Sequence, residues 1–85
     1  MKLPYQYSVD ETVLHVFSAA SRRRREELIR IFDFLAREPF TVEDSIQRDH
    51  TGRRCCVKRF GRWSVTWWAE HLANQIHILH VEQLL

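Results

Sequence analysis

The chain has 85 residues, 45% of them hydrophobic, with 13 Lys and Arg against 11 Asp and Glu and a formal net charge of +2. That length makes one domain (residues 1–85), which buries only about 60% of its extended surface and is marginally stable. Two Gly and two Pro exclude a low-complexity or disordered chain, and no apolar run reaches the roughly 18 residues that cross a bilayer.

The opening residues MKLPYQYSVDE lack the apolar stretch of a secretory leader, so a cytoplasmic location is expected. Tyr5–Val9 alternates aromatic and polar residues and predicts a first strand. Ser8 and Asp10 are candidate caps for a helix with Val13, Val16, Phe17 and Ala20 at helical spacing, and Glu11 completes a capping-box pattern with Ser8. Ser21 offers a second cap. Leu28, Ile31, Phe32 and Leu35 then fall at i, i+3, i+4 and i+7, with Ile29 and Ala36 widening the stripe, until Pro39 ends the helix. Residues 19–21 are the hinge, although neither Gly nor Pro enforces it and one continuous helix stays an alternative. Arg22–Arg25 occupies the first turn of the second helix, where each exposed positive charge opposes the helix dipole by about 0.3–1 kcal/mol. The run is either a solvated face or a dock for an acidic partner or a phosphate backbone.

Residues 40–49 form a loop leading into strands. Arg53–Phe60, Arg62–Glu70 and Gln75–Glu82 predict three of them, the first two joined by a tight turn at Gly61 and the last two by residues 71–74. Short connections make neighbours antiparallel. The expectation is an α+β fold, an N-terminal strand and two helices packed on an antiparallel sheet, with three or four strands after the helices.

The sequence has no Gly-rich phosphate loop, nucleophile elbow or zinc-protease helix. Cys55 and Cys56 are adjacent, point to opposite faces of a strand, and lack the spacing of a zinc site; two small apolar residues in a reducing compartment are expected. Strict alternation would also set His77 and His80 on opposite faces, unable to share an ion. No cofactor or metal is expected.

The charge is uneven. Arg48, Arg53, Arg54, Lys58, Arg59 and Arg62 are offset in their segment by Asp49 alone. With an even hairpin loop, Arg54, Cys56, Lys58 and Phe60 lie beside Trp63, Val65 and Trp67, while Arg53, Cys55, Val57 and Arg59 lie beside Ser64, Thr66 and Trp68. Cations interleaved with tryptophan suit a surface that grips phosphate and stacks bases; the competing reading makes the tryptophans core, with Arg and Lys reaching past them to water.

The run LIRIFDFLAREPF, the basic and aromatic hairpin TGRRCCVKRFGRWSVTWWAEH and the closing strand IHILHVEQL together resemble the RelE/ParE superfamily of bacterial toxins across nearly the whole chain. The resemblance implies the toxin of a type II toxin–antitoxin pair, neutralised by a cognate antitoxin protein. One branch of that superfamily cleaves messenger RNA on the ribosome, and another inhibits gyrase. In the first, strand cations hold phosphate and stabilise charge at the scissile bond. Here they would be Arg53, Arg54, Lys58, Arg59 and Arg62, with Lys58 at an expected lysine position and His80 (or His50) as proton-transfer group. Two positions depart: Trp63 stands where an arginine is usual, and the C-terminal end is Glu82, Gln83, Leu84 and Leu85. The family alignment turns Ser64 and Thr66 towards the helices, whereas burial favours Trp63 and Trp67 there. The alternatives are a non-catalytic member, gyrase-inhibiting or antitoxin-binding, and a small RNA-binding module. An exposed tryptophan face would further imply a homodimer.

Overall fold

Ser21 divides the first half of the chain. Its backbone is extended, its Oγ accepts a hydrogen bond from the Arg24 N–H at 3.3 Å, and α1 (Glu11–Ala19) ends before α2 (Arg22–Arg37) begins. Arg25 completes the break by donating to the carbonyls of Phe17 at 3.0 Å and Ser18 at 2.8 Å, which supplies partners to the open C-terminal end of α1. In this computed structural model residues 4–84 are described; Met1–Leu3 and Leu85 lie outside them. The remaining elements are β1 (Gln6–Val9), β2 (Ser45–Arg48), β3 (Arg54–Phe60), β4 (Trp63–Glu70), a 3-10 turn (His71–Ala73) and β5 (Gln75–Gln83).

The α2 stripe is buried as predicted at Leu28, Ile31, Phe32, Leu35 and Ala36, but Ile29 turns outward and is 38% exposed. The expected capping box does not form. Asp10 is the N-cap of α1 without a side-chain bond, and Ser8 is engaged instead by His77.

The sheet has five strands in the order β1-β5-β4-β3-β2. Its β2–β3, β3–β4 and β4–β5 pairs are antiparallel, but β1 runs parallel to β5, which corrects the expectation of an antiparallel sheet. Tight connections fix direction only between sequence neighbours, and β1 reaches β5 after the rest of the chain has intervened. The fourth strand of the second half, β2, is an edge strand exposed along its whole length.

The β3–β4 turn is the two residues Gly61 and Arg62, with Gly61 at φ +60°, a conformation glycine adopts without a Cβ penalty. This even loop pairs Cys56 with Trp67, Lys58 with Val65 and Phe60 with Trp63. Trp63, Val65 and Trp67 are buried and join Tyr5, Val13, Leu28, Phe32, Leu35, Ile76, Ile78 and Val81 in one core. Burial therefore decides the parity of β4. Trp63 and Trp67 face the helices, Ser64 and Thr66 face away, and the exposed tryptophan pair that implied a homodimer does not exist.

β5 holds a further correction. Trp67 pairs with Ile78 and Thr66 with His80, so Leu79 is an extra residue and the register shifts at a β-bulge. His77 pairs with Trp68. Because Thr66 and Trp68 share a face of β4, His77 and His80 share that face too, contrary to strict alternation.

Candidate nucleic-acid interface

Both helices pack on one face of the sheet. Among the described residues no helix covers the other face. Cross-strand pairing arranges its side chains in rows: Arg59, Ser64 and Glu82; then Ser45, Val57, Thr66 and His80; then Trp68, His77 and Ser8. Successive rows on one face are about 7 Å apart.

The last row is tightly organised. The Trp68 and His77 rings stack at 4.4 Å between centroids and 16° between planes. From the β3 side, the Arg53 guanidinium lies 4.2 Å from the Trp68 centroid, within cation–π range. His77 Nε2 is 2.9 Å from Glu70 Oε1, and its Nδ1 is 3.1 Å from Ser8 Oγ.

The turn before β3 sets Arg53 in place. Asp49 Oδ1 accepts from the Thr51 and Arg53 N–H groups, both at 2.9 Å, and Gly52 at φ +86° lets the chain reverse. The Thr51 hydroxyl, together with those N–H groups and the Arg53 charge, holds the Asp49 carboxyl below the usual aspartate range. His50 occupies the exposed tip of this turn.

The five predicted cations divide between the two faces. Arg53 and Arg59 belong to the helix-free face. Arg54 and Lys58 pair in the register of the core side, and Arg62 is in the turn. Their electrostatics divide the same way. Arg54 lies 3.8 Å from Glu43, Lys58 3.5 Å from Asp44 and Arg62 3.2 Å from Glu27. Arg53 has only a loose contact with Asp49 at 3.9 Å. Arg59 donates from Nε to the Gly61 carbonyl at 2.9 Å and makes no ion pair among the described residues. Asp44 accepts the Arg59 backbone N–H at 2.8 Å; that bond first, and the Lys58 charge after it, lower its pKa.

Lys58 and His80, predicted together as catalytic residues, stand on opposite faces of the sheet. The pairing of Lys58 with core Val65 and of His80 with outward Thr66 fixes this. Cys55 and Cys56 are free thiols, and burial pushes both pKa values up, which makes them poor nucleophiles. Among the described residues no cluster of His, Cys, Asp and Glu could hold a metal ion, and no helix is long and apolar enough to cross a membrane.

Sequence reasoning missed His77, Glu70, Ser8 and Trp68 as a group. The members come from β5, β4 and β1, and only the unforeseen parallel β1–β5 pairing brings Ser8 to His77.

No protein-family model matches the chain, and no curated protein sequence matches it. Solved structures do. A chain of the archaeal RelE–RelB complex from Pyrococcus horikoshii OT3 superposes with a TM-score of 0.74 at 15% identity, over 95% of this chain and 96% of that one. A chain of the RelBE2 toxin–antitoxin complex from Mycobacterium tuberculosis gives a TM-score of 0.77 at 19% identity, over 98% and 94%. A likeness that spans both chains at such low identity establishes architecture, and the architecture of this chain is the RelE-like α+β fold.

Proposed function

We propose that the chain is the toxin of a toxin–antitoxin pair and acts on translation by cutting messenger RNA on the ribosome, through the helix-free face of its sheet. Support comes from the fold shared with chains of RelE–RelB complexes. The observation that carries the reading is the face itself, where Arg53 and His77 flank Trp68, with His80 one row and Arg59 two rows further along the same face. Arginine held by no more than a loose ion pair, beside stacked aromatic planes, suits single-stranded RNA, whose phosphates need charge and whose bases stack. Arg54, Lys58 and Arg62 would contact the flanks of the bound strand, each after exchanging its carboxylate for phosphate. The partner antitoxin would add a strand along β2, whose outer edge is unpaired among the described residues. Such a protein works in the cytoplasm.

A second reading, a non-catalytic member that binds its antitoxin or gyrase, has one observation in its favour. Lys58 and His80 cannot flank a single phosphodiester from opposite faces of the sheet.

Induced expression in a bacterial host, with primer extension on a translated messenger, separates the two. The RNA-cutting reading expects growth arrest with cuts inside codons, and loss of both when Arg53 and Arg59 are changed to Ala. Arrest without cuts selects the gyrase-binding form of the second reading, and no arrest from folded protein removes the RNA-cutting and gyrase-binding readings and leaves an antitoxin-binding protein of the same fold.

A further inference from the structure

We infer that His77 and His80 are a general base and general acid on the helix-free face, acting on the ribose 2′-hydroxyl and the 5′-oxygen of one phosphodiester. The inference rests on the RNA-cutting reading above and names the residues of its chemistry.

His77 is built for the first role. A carboxylate has no hydrogen to give, so Glu70, 2.9 Å from Nε2, fixes the imidazole N–H on that nitrogen. In the neutral ring Nδ1 is then an acceptor, and it already faces a hydroxyl, that of Ser8 at 3.1 Å. A ribose hydroxyl entering from solvent would take the position that the serine hydroxyl holds. A base oriented by a third group and within reach of a hydroxyl is the arrangement general-base chemistry requires. The His77 side chain is 27% exposed, so substrate reaches it, while the stack on Trp68 fixes the ring plane. Arg53 holds the same indole from its β3 side, away from His77.

His80 joins this face only through the bulge at Leu79. It lies one row from His77, about 7 Å along the face. That span admits a phosphodiester between two hydrogen bonds of about 3 Å. Arg59 lies in the row beyond, with Glu82 as the acidic residue of that row. In the reaction, Nδ1 of His77 takes the 2′-hydroxyl proton as the 2′-oxygen attacks phosphorus. The bond from phosphorus to the 5′-oxygen breaks, and protonated His80 gives its proton to the leaving oxygen. The products are a 2′,3′-cyclic phosphate and a 5′-hydroxyl.

The test uses the full chain on ribosomes programmed with a defined messenger. It measures the single-turnover cutting rate, the protein concentration at half-saturation and the chemistry of the new ends. The unaltered protein is expected to leave cyclic phosphate ends and to spare a messenger with a 2′-deoxyribose at the cut. His77→Asn and His80→Asn should each slow cutting at saturating protein by about 100-fold or more. Glu70 is a positioning residue: Glu70→Gln should slow cutting at unchanged half-saturation, and Glu70→Asp should recover part of the rate. Thermal unfolding checks each variant, and Glu70→Gln keeps the ring in place should replacing His77 unfold the chain. Cutting at the full rate by His77→Asn or by Glu70→Gln overturns the inference and leaves the RNA-cutting reading standing. New ends with a plain 3′-hydroxyl do the same. An unaltered protein that cuts nothing removes the reading and the inference together.

Discussion

The carboxylate of Glu27 takes two donors at the rim of the core. Trp63 Nε1 donates to Oε1 at 3.0 Å, and Arg62 Nε lies 3.2 Å from the same oxygen. Trp63 is 2% exposed and is among the largest side chains of the core. Its indole N–H is therefore a nearly buried donor whose partner comes from α2. Glu27→Ala would leave that donor without a partner, and an unsatisfied buried group costs about 1–3 kcal/mol. Denaturant unfolding should show a lower midpoint with an unchanged slope, because the change removes a bond and leaves the surface exposed on unfolding about the same. The sequence exposes Trp63 as apolar and Glu27 as acidic, but nothing in their spacing of 36 residues joins them. By contrast the grouping of Trp63, Val65 and Trp67 on one face was legible, because alternation on a strand and the length of the turn are local properties, whereas family alignment and burial disagree on which face is inward and the core decides it.

At the scale of the element, α2 begins with four arginines and has no acidic residue in its first turn. Two of the four have work that the structure makes visible. Arg22 pairs with Glu26 at 3.4 Å, and Arg25 holds the end of α1. Arg23 is exposed and has no such contact among the described residues, so it retains the full opposition to the dipole. Arg23→Glu should stabilise the protein by about 0.3–1 kcal/mol or slightly more, since it removes one charge and adds its opposite. A thermal melt would show a rise of a few degrees in Tm, shrinking as salt is added. The start and stop of α2 were readable because Ser21 and Pro39 are local signals, although a single continuous helix through residues 19–21 is ruled out only by the extended backbone at Ser21. The direction of β1 was not, because parallel pairing with β5 is decided by the packing of both helices across the sheet. Nor was the bulge in β5. Leu79 is an ordinary apolar residue in an apolar run, and only the pairing of Thr66 with His80 reveals that one residue has been skipped.

The whole molecule separates its cations by face, although the sequence places them in one run. On the core side, Arg54, Lys58 and Arg62 each have a carboxylate partner. On the helix-free side, Arg53 and Arg59 have at most a loose one. Each face carries one of two arrangements: tryptophan as core with cations reaching past it, and tryptophan beside a cation on the side no helix covers among the described residues. This separation makes a prediction about salt. Binding to single-stranded RNA weakens with salt in proportion to the phosphates neutralised, with a slope of about 0.7 per contact in log–log form. If Arg53 and Arg59 each meet one phosphate, changing both to Gln should reduce that slope by about 1.4. Changing Arg54 and Arg62 to Gln should reduce it by less, because their bound carboxylates already neutralise much of their charge and must be displaced before phosphate can take their place. Fluorescence titration of a labelled single-stranded RNA across a range of salt concentrations measures both slopes. Equal reductions for the two pairs would mean that RNA does not distinguish the faces, and the assignment of the interface to the helix-free side would fall.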